Sequence, residues 1–251
     1  MWKEDIFMRK KIGAAVAAAG LLALILACRA AGTFLLEKME EGQNAKDTAA
    51  GVAGDSKGNG NSGADGQIVL LDPGHGGIDG GKVGTNGAEE KDVNLQISLI
   101  LKELLEQENI PVLMTRTEDE RLGTTQVEDL KERVNIMNSK KPVLSVSIHQ
   151  NSYHEESVHG AQTFYYTDSQ EGKKAAEIIQ SALKEIDPEN TKQAKANSTY
   201  YILKKTEVPV VIVECGFLSN YEEAENLTDE EYQKKLAEAV SNGIRQYINE
   251  R

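Results

Sequence analysis

Ile68-Val69-Leu70-Leu71-Asp72-Pro73-Gly74-His75-Gly76-Gly77 is a short apolar run that breaks into a glycine-rich turn carrying a histidine. Residues 67–72 read as a buried strand, and the flanking glycines let the backbone turn sharply and leave His75 exposed at the strand end. Downstream, Val93, Ile97, Ile100, Leu101 and Leu104 recur at helical spacing, with Asp92 and Asn94 placed to cap or charge the start of that helix. Asn109 reads as its stop, and residues 110–115 as a second strand. Strand, crossover helix and strand within about 45 residues form a βαβ unit, which implies parallel pairing. Val127, Leu130, Val134 and Met137 mark a second helix, and Pro142 opens a strand over 143–149. Residues 161–166 read as a strand, 175–186 as a helix and 208–214 as a strand, before a last helix through Tyr232, Leu236, Val240, Ile244 and Tyr247. This alternation predicts an α/β fold of three layers, a mostly parallel twisted sheet flanked by helices.

Two more strands end on groups able to do chemistry: Leu144-Ser145-Val146-Ser147-Ile148-His149, and the run from Val208 to Val213 that delivers Glu214. The ends of buried strands are where an open α/β sheet places its active groups. His75 and His149 with one carboxylate would supply three ligands of a catalytic zinc site and leave the fourth position to water. That carboxylate is Glu90, fifteen residues beyond His75, or its neighbour Glu89; spacing does not separate them. An acidic residue here also serves simply to stabilise a helix N-terminus. His154 and His159, in a polar loop, are rival ligands, and His149 is preferred because a strand holds a ligand more rigidly than a loop.

Glu214 suits a general base. A nearby metal would stabilise its charge, whereas desolvation would raise its pKa toward neutrality. Cys215 reads as a packing residue rather than a nucleophile. The stretch Gly74-His75-Gly76-Gly77-Ile78-Asp79-Gly80-Gly81-Lys82 lacks the Ser or Thr that would make it a phosphate loop. The set reads as a zinc (Zn2+) hydrolase of amides. A zinc peptidase or deacetylase, and a non-catalytic binding module, are the competing readings.

With 40 acidic against 28 basic residues and a net charge of −12, the chain has no broad basic surface for nucleic acid or anionic lipid. Its two cysteines cannot build a disulfide framework. Lys3, Arg9, Lys10 and Lys11 precede an uncharged stretch of 17 residues from Ile12 to Cys28. A basic segment before an apolar one is an export signal. Residues 1–36 therefore read as a signal or membrane anchor, either uncleaved, cleaved or lipidated at Cys28 after the lipobox-like Ile25-Leu26-Ala27. Residues 37–66, rich in Gly, Asn, Ser and Ala, read as a flexible linker, and 67–251 as the catalytic domain. The expected location is the outer face of the cytoplasmic membrane or the cell wall.

The segments Leu71–Gly77, Glu90–Leu95, Thr115–Thr117, Leu130–Arg133, Ser147–Asn151 and Val213–Asn220 together resemble the zinc-dependent N-acetylmuramoyl-L-alanine amidases, which cut peptidoglycan. The resemblance implies His75, Glu90 and His149 as metal ligands and Glu214 as the catalytic carboxylate, and so favours Glu90 over Glu89. Gln150 stands where the family usually has a small residue, and Cys215 where Thr or Val is common. Within the family the chain is most similar to the membrane-anchored spore-cortex (germination-specific) amidases. That similarity implies a peptidoglycan substrate, membrane attachment through the N-terminal segment, and a partner deacetylase or activator protein.

Overall fold

The computed structural model describes residues 67–251. The anchor and linker expected over 1–36 and 37–66 lie outside the described residues. No helix among the described residues is long and apolar enough to cross a membrane.

Six strands form one sheet: β1 (Val69–Pro73), β2 (Val112–Met114), β3 (Leu144–Asn151), β4 (Gln162–Tyr166), β5 (Lys195–Asn197) and β6 (Val210–Phe217). Their spatial order is β2-β1-β3-β6-β4-β5. Pairing is parallel from β2 through β6, as the βαβ reading requires. β4 runs antiparallel to β6, and β5 is parallel to β4, so one edge of the sheet is reversed. The loop from β3 into β4 is too short for a crossover helix, so the chain turns back instead of crossing the sheet.

The helices are α1 (Glu90–Gln107), α2 (Gln126–Lys140), α3 (Gln170–Ile186), α4 (Tyr201–Lys205), α5 (Tyr221–Thr228) and α6 (Glu230–Asn249). Alternation along the strands divides the core. Val69, Leu71, Val146, Ile148, Val211 and Val213 meet α1, α3 and α6 on one face, where Ile97, Leu101, Ile179 and Val240 are buried. Leu70, Val210 and Ile212 meet Val134 and Met137 of α2 and Ile202 of α4 on the other. The sheet is the middle layer of three, as expected.

Some local expectations are corrected. Val127 is 59 % exposed, because α2 turns its first residues toward solvent and packs through Val134 and Met137. Asn94 does not cap α1: its side chain points inward and donates to the carbonyl of Gly74 at 3.1 Å. Asp92 lies in the first turn of α1, and Asn109 does end it, with a positive φ of 61° just beyond the helix. The short β5, α4 and α5 carry no periodic signal, since each depends on packing rather than on its own pattern.

The connection from β1 leads to β2 on one side, whereas β3 has β1 and β6 as neighbours, so the chain's direction of travel across the sheet reverses between β1 and β3. Loops leaving the carboxyl ends of such strands part company and leave a crevice. His75, His149 and Glu214 all sit at those ends.

Candidate metal centre and active site

His75 follows β1 after one intervening residue, Gly74, and has a left-handed φ of 60°. The loop after it folds back on itself, with mutual backbone hydrogen bonds between Gly76 and Asp79. This brings Asp79 Oδ1 to 3.1 Å from His75 Nδ1 and leaves Nε2 pointing inward. His149 lies on the same face of β3 as Ser145 and Ser147. Its close approach to β1 depends on Gly74, where a Cβ would overlap the imidazole. Glu90 is the first residue of α1 and only 2 % exposed. Its Oε2 accepts from the Lys82 backbone N–H at 2.9 Å, and its Oε1 accepts from that of Gln150 at 3.2 Å.

Glu90 Oε1 stands 3.3 Å from His75 Nε2 and 2.9 Å from His149 Nδ1. The two rings are edge-on, with centroids 5.1 Å apart. All three ligand atoms lie within 4.8 Å of one another, so these residues could hold a metal ion. Zinc bonds of about 2.1 Å in tetrahedral geometry place neighbouring ligand atoms roughly 3.4 Å apart, close to the separations here. Two imidazole nitrogens facing one carboxylate oxygen need a cation or protons between them, and the Asp79 contact at Nδ1 leaves the Nε2 lone pair of His75 free to take a metal. The donor set fits zinc.

Electrostatics agree with that arrangement. Burial alone would raise the Glu90 carboxyl, but His149 and His75 beside it outweigh burial and hold it well below the usual carboxylate range. His75 would be lowered by burial, yet Glu90 and Asp79 raise it. Glu214 moves the opposite way from Glu90. Burial dominates, the two histidines offset it only in part, Glu90 adds to it, and the group is pushed up to about 7. Its Oε2 is buried without a hydrogen-bond partner. A bulge follows it, since β6 carries one more residue than β3 between the pairs His149–Glu214 and Asn151–Phe217.

The three ligand candidates and Glu214 line one cleft of about 420 Å³, walled also by Lys82, Gln126, Leu130, Tyr200, Tyr201 and Ile202. The four residues singled out in the sequence therefore meet. Glu89 does not join them: it points outward and lies 3.3 Å from Lys91 Nζ. His154 is 72 % exposed beside Glu155, and His159 lines a separate hollow with Glu222 and Glu223. Cys215 is fully buried in the core and its thiol is pushed up by desolvation, so it is no nucleophile. Gln150 is buried and braces the site from behind, its amide donating to Asn94 Oδ1 at 3.1 Å.

The sequence reading passed over Asp79, Tyr200 and the structural role of Arg133. One signal for Arg133 was present, since it falls among Leu130, Val134 and Met137 on the inward face of α2.

A profile of the N-acetylmuramoyl-L-alanine amidase family matches residues 69–246. The germination-specific N-acetylmuramoyl-L-alanine amidase of Bacillus subtilis is 38 % identical over 194 residues, covering 74 % of this chain and 81 % of that protein. The amidase LytC of the same species is 33 % identical over 184 residues, covering 72 % of this chain and 36 % of that one. Among solved structures, the CwlD amidase of Clostridioides difficile, in complex with the GerS lipoprotein, superposes with a TM-score of 0.71 at 39 % identity, covering 74 % of this chain and all of that one. The catalytic domain of the Paenibacillus polymyxa amidase CwlV gives 0.65 at 29 % identity, covering 74 % and 99 %. The crevice, its three candidate ligands and these likenesses agree: the chain belongs to the N-acetylmuramoyl-L-alanine amidase family and is an enzyme of that class.

Proposed function

We propose that the chain is a zinc-dependent amidase hydrolysing the bond between N-acetylmuramic acid and L-alanine in peptidoglycan, with His75, Glu90 and His149 as ligands and Glu214 as general base. The observation that carries the reading is the convergence of those four side chains in one cleft, with the carboxylates of Glu90 and Glu214 shifted in opposite directions. Zinc, when bound, supplies Lewis acidity that polarises the amide carbonyl and makes water more acidic near neutral pH. Glu214 takes the proton of the attacking water and returns it to the departing alanyl nitrogen. An unpartnered carboxylate poised near 7 suits both tasks, because it gains and loses a proton at little cost. Asp79 holds the tautomer of His75, and the backbone N–H groups of Lys82 and Gln150 orient Glu90.

The proposed organisation has a signal or anchor over 1–36, a tether over 37–66 and the catalytic domain over 67–251, which places the cleft outside the cytoplasmic membrane. The likeness to the germination-specific amidase of Bacillus subtilis and to the Clostridioides difficile amidase solved in complex with a lipoprotein supports a role in the spore cortex and a protein partner. In that role the enzyme strips peptide from muramic acid ahead of a partner deacetylase that forms the δ-lactam. Incubating the full chain with muropeptides tests the chemistry. Release of L-alanyl peptide, abolished by chelation and restored by zinc, is the expected result. Release of acetate or of shortened stem peptides would point to a deacetylase or peptidase and overturn it.

A further inference from the structure

We infer that Arg133 and Arg116 are positioning residues that aim the His75 imidazole at the metal position by clamping three consecutive carbonyls of the turn that carries it. The inference rests on the reading of His75, Glu90 and His149 as a metal site.

A residue's φ and ψ are the rotations of the two peptide planes that flank its Cα, so fixing both planes fixes the direction of Cβ. The plane before His75 carries the Gly74 carbonyl. It accepts from Arg116 Nη2 at 3.0 Å and from Asn94 Nδ2 at 3.1 Å. The plane after His75 carries its own carbonyl, which accepts from Arg133 Nη2 at 2.6 Å. One residue earlier, the Pro73 carbonyl accepts from Arg116 Nε at 3.0 Å and Arg133 Nη1 at 2.8 Å. His75 sits at φ 60°, a region that non-glycine residues occupy when the surroundings over-determine it. Here the surroundings are two nearly inaccessible guanidinium groups.

The clamp is itself anchored. Arg133 Nε donates to Asp129 Oδ2 and Nη1 to Asp72 Oδ1, both at 2.7 Å. Asp72 Oδ1 also accepts from Thr115, and its Oδ2 from Ser147 on β3, the strand that carries His149. Arg116 Nη1 and Nη2 hold the carbonyls of Glu118 and Lys91 as well. A guanidinium offers its donors in a fixed planar fork, whereas an ammonium is a single point; Lys at 133 can keep the charge beside Asp72 and Asp129 but not span all four acceptors, the two carboxylates and the carbonyls of Pro73 and His75.

The test uses Arg133→Gln, Arg133→Lys, Arg116→Lys and, as a control, Arg245→Gln, which alters only a surface pair with Glu108. Zinc affinity is measured by chelator competition well below each metal-free melting temperature, and the visible spectrum of the Co2+ form reports ligand geometry. The expected result is a loss of about tenfold or more in zinc affinity for R133Q, a smaller loss for R133K and R116K, and a changed Co2+ spectrum, since supports of metal ligands typically act at this scale. Arg245→Gln keeps wild-type values. Wild-type affinity and spectrum in folded R133Q, or in folded R133K if R133Q does not fold, would overturn the inference. Should neither fold, Arg116→Lys, which keeps the charge but loses the fork on the Pro73 and Gly74 carbonyls, decides in the same way. Failure of the wild type to bind zinc through His75 would instead sink the metal-site reading, and His75→Ala identifies that case.

Discussion

His149 and Glu214 are register partners on the adjacent parallel strands β3 and β6. Partners at one level of a parallel pair project to the same face, so a candidate ligand and the candidate base reach the cleft side by side. The bulge after Glu214 then releases the strand into the turn that begins α5.

Glu214→Gln is expected to lower turnover by about 10²–10⁴-fold, the usual contribution of a positioned acid–base group. Zinc content, read by metal analysis, should stay at the wild-type level. The metal-free variant at pH 8 should be at least as stable as wild type in urea unfolding. A carboxyl raised to about 7 on folding costs stability once the pH exceeds its ordinary value of 4.5, and the neutral amide removes that cost.

The same shift sets the pH dependence of activity. The base must be ionised, so kcat/KM should fall on the acid side of about pH 7, and bound zinc should move that limb lower by favouring the charged form. A pH–rate profile whose acid limb lies above pH 8 would contradict this assignment.

Glu90→Gln is expected to abolish the stabilisation that zinc confers on the wild-type chain. Zinc at 100 times its dissociation constant should add about 2.7 kcal/mol to the wild type. Thermal melts with and without chelator measure this directly. An unchanged zinc-dependent shift in the variant would remove Glu90 from the ligand set.

Asp72→Asn should destabilise the fold by about 3 kcal/mol at pH 7, because it leaves the buried Arg133 short of one of its two carboxylates. Burial alone would raise Asp72, but Arg133 and the hydroxyls of Ser147 and Thr115 outweigh it and hold the carboxyl below its ordinary 3.8. Its contribution is therefore fully present above pH 3.8 and fades as pH falls below that value. The gap between variant and wild type should narrow in the same direction, as urea unfolding at pH 7 and pH 3.5 would show.

Gly74→Ala is expected to displace the His149 ring, since the added Cβ would occupy its place. Zinc affinity, measured by chelator competition, should drop by more than tenfold, as for loss of a ligand's support. Gly81→Ala should act on the other side of the site: at φ 69° its Cβ would lie 2.6 Å from Glu90 Oε2 and 2.8 Å from His75 Cδ2.

Much of this was legible in the linear chain because parallel βαβ units write their periodicities plainly. The strand ends at His75, His149 and Glu214 followed from apolar runs bounded by turns, and α1 and α6 from 3.6-residue spacing. The reversed edge β4–β5 was not legible, since an alternating segment such as 162–166 reads the same in either direction. Spacing also left Glu89 and Glu90 equivalent, and only the resemblance to the amidases preferred the second. The structure supplies the reason: α1 starts at Glu90, whose position on the first turn faces the cleft, whereas Glu89 remains extended and turned to solvent.

By itself, then, the order of residues determined the layered α/β architecture and the polar groups at its strand ends, because hydrophobic period and turn chemistry are local properties. Which of those groups converge in one cleft, how far burial lifts Glu214, and how Arg116 and Arg133 reach the His75 turn were decided only in three dimensions. Each depends on residues that stand about 15 to 140 positions apart, and the distances, desolvation and hydrogen bonds between them exist only once the sheet has formed.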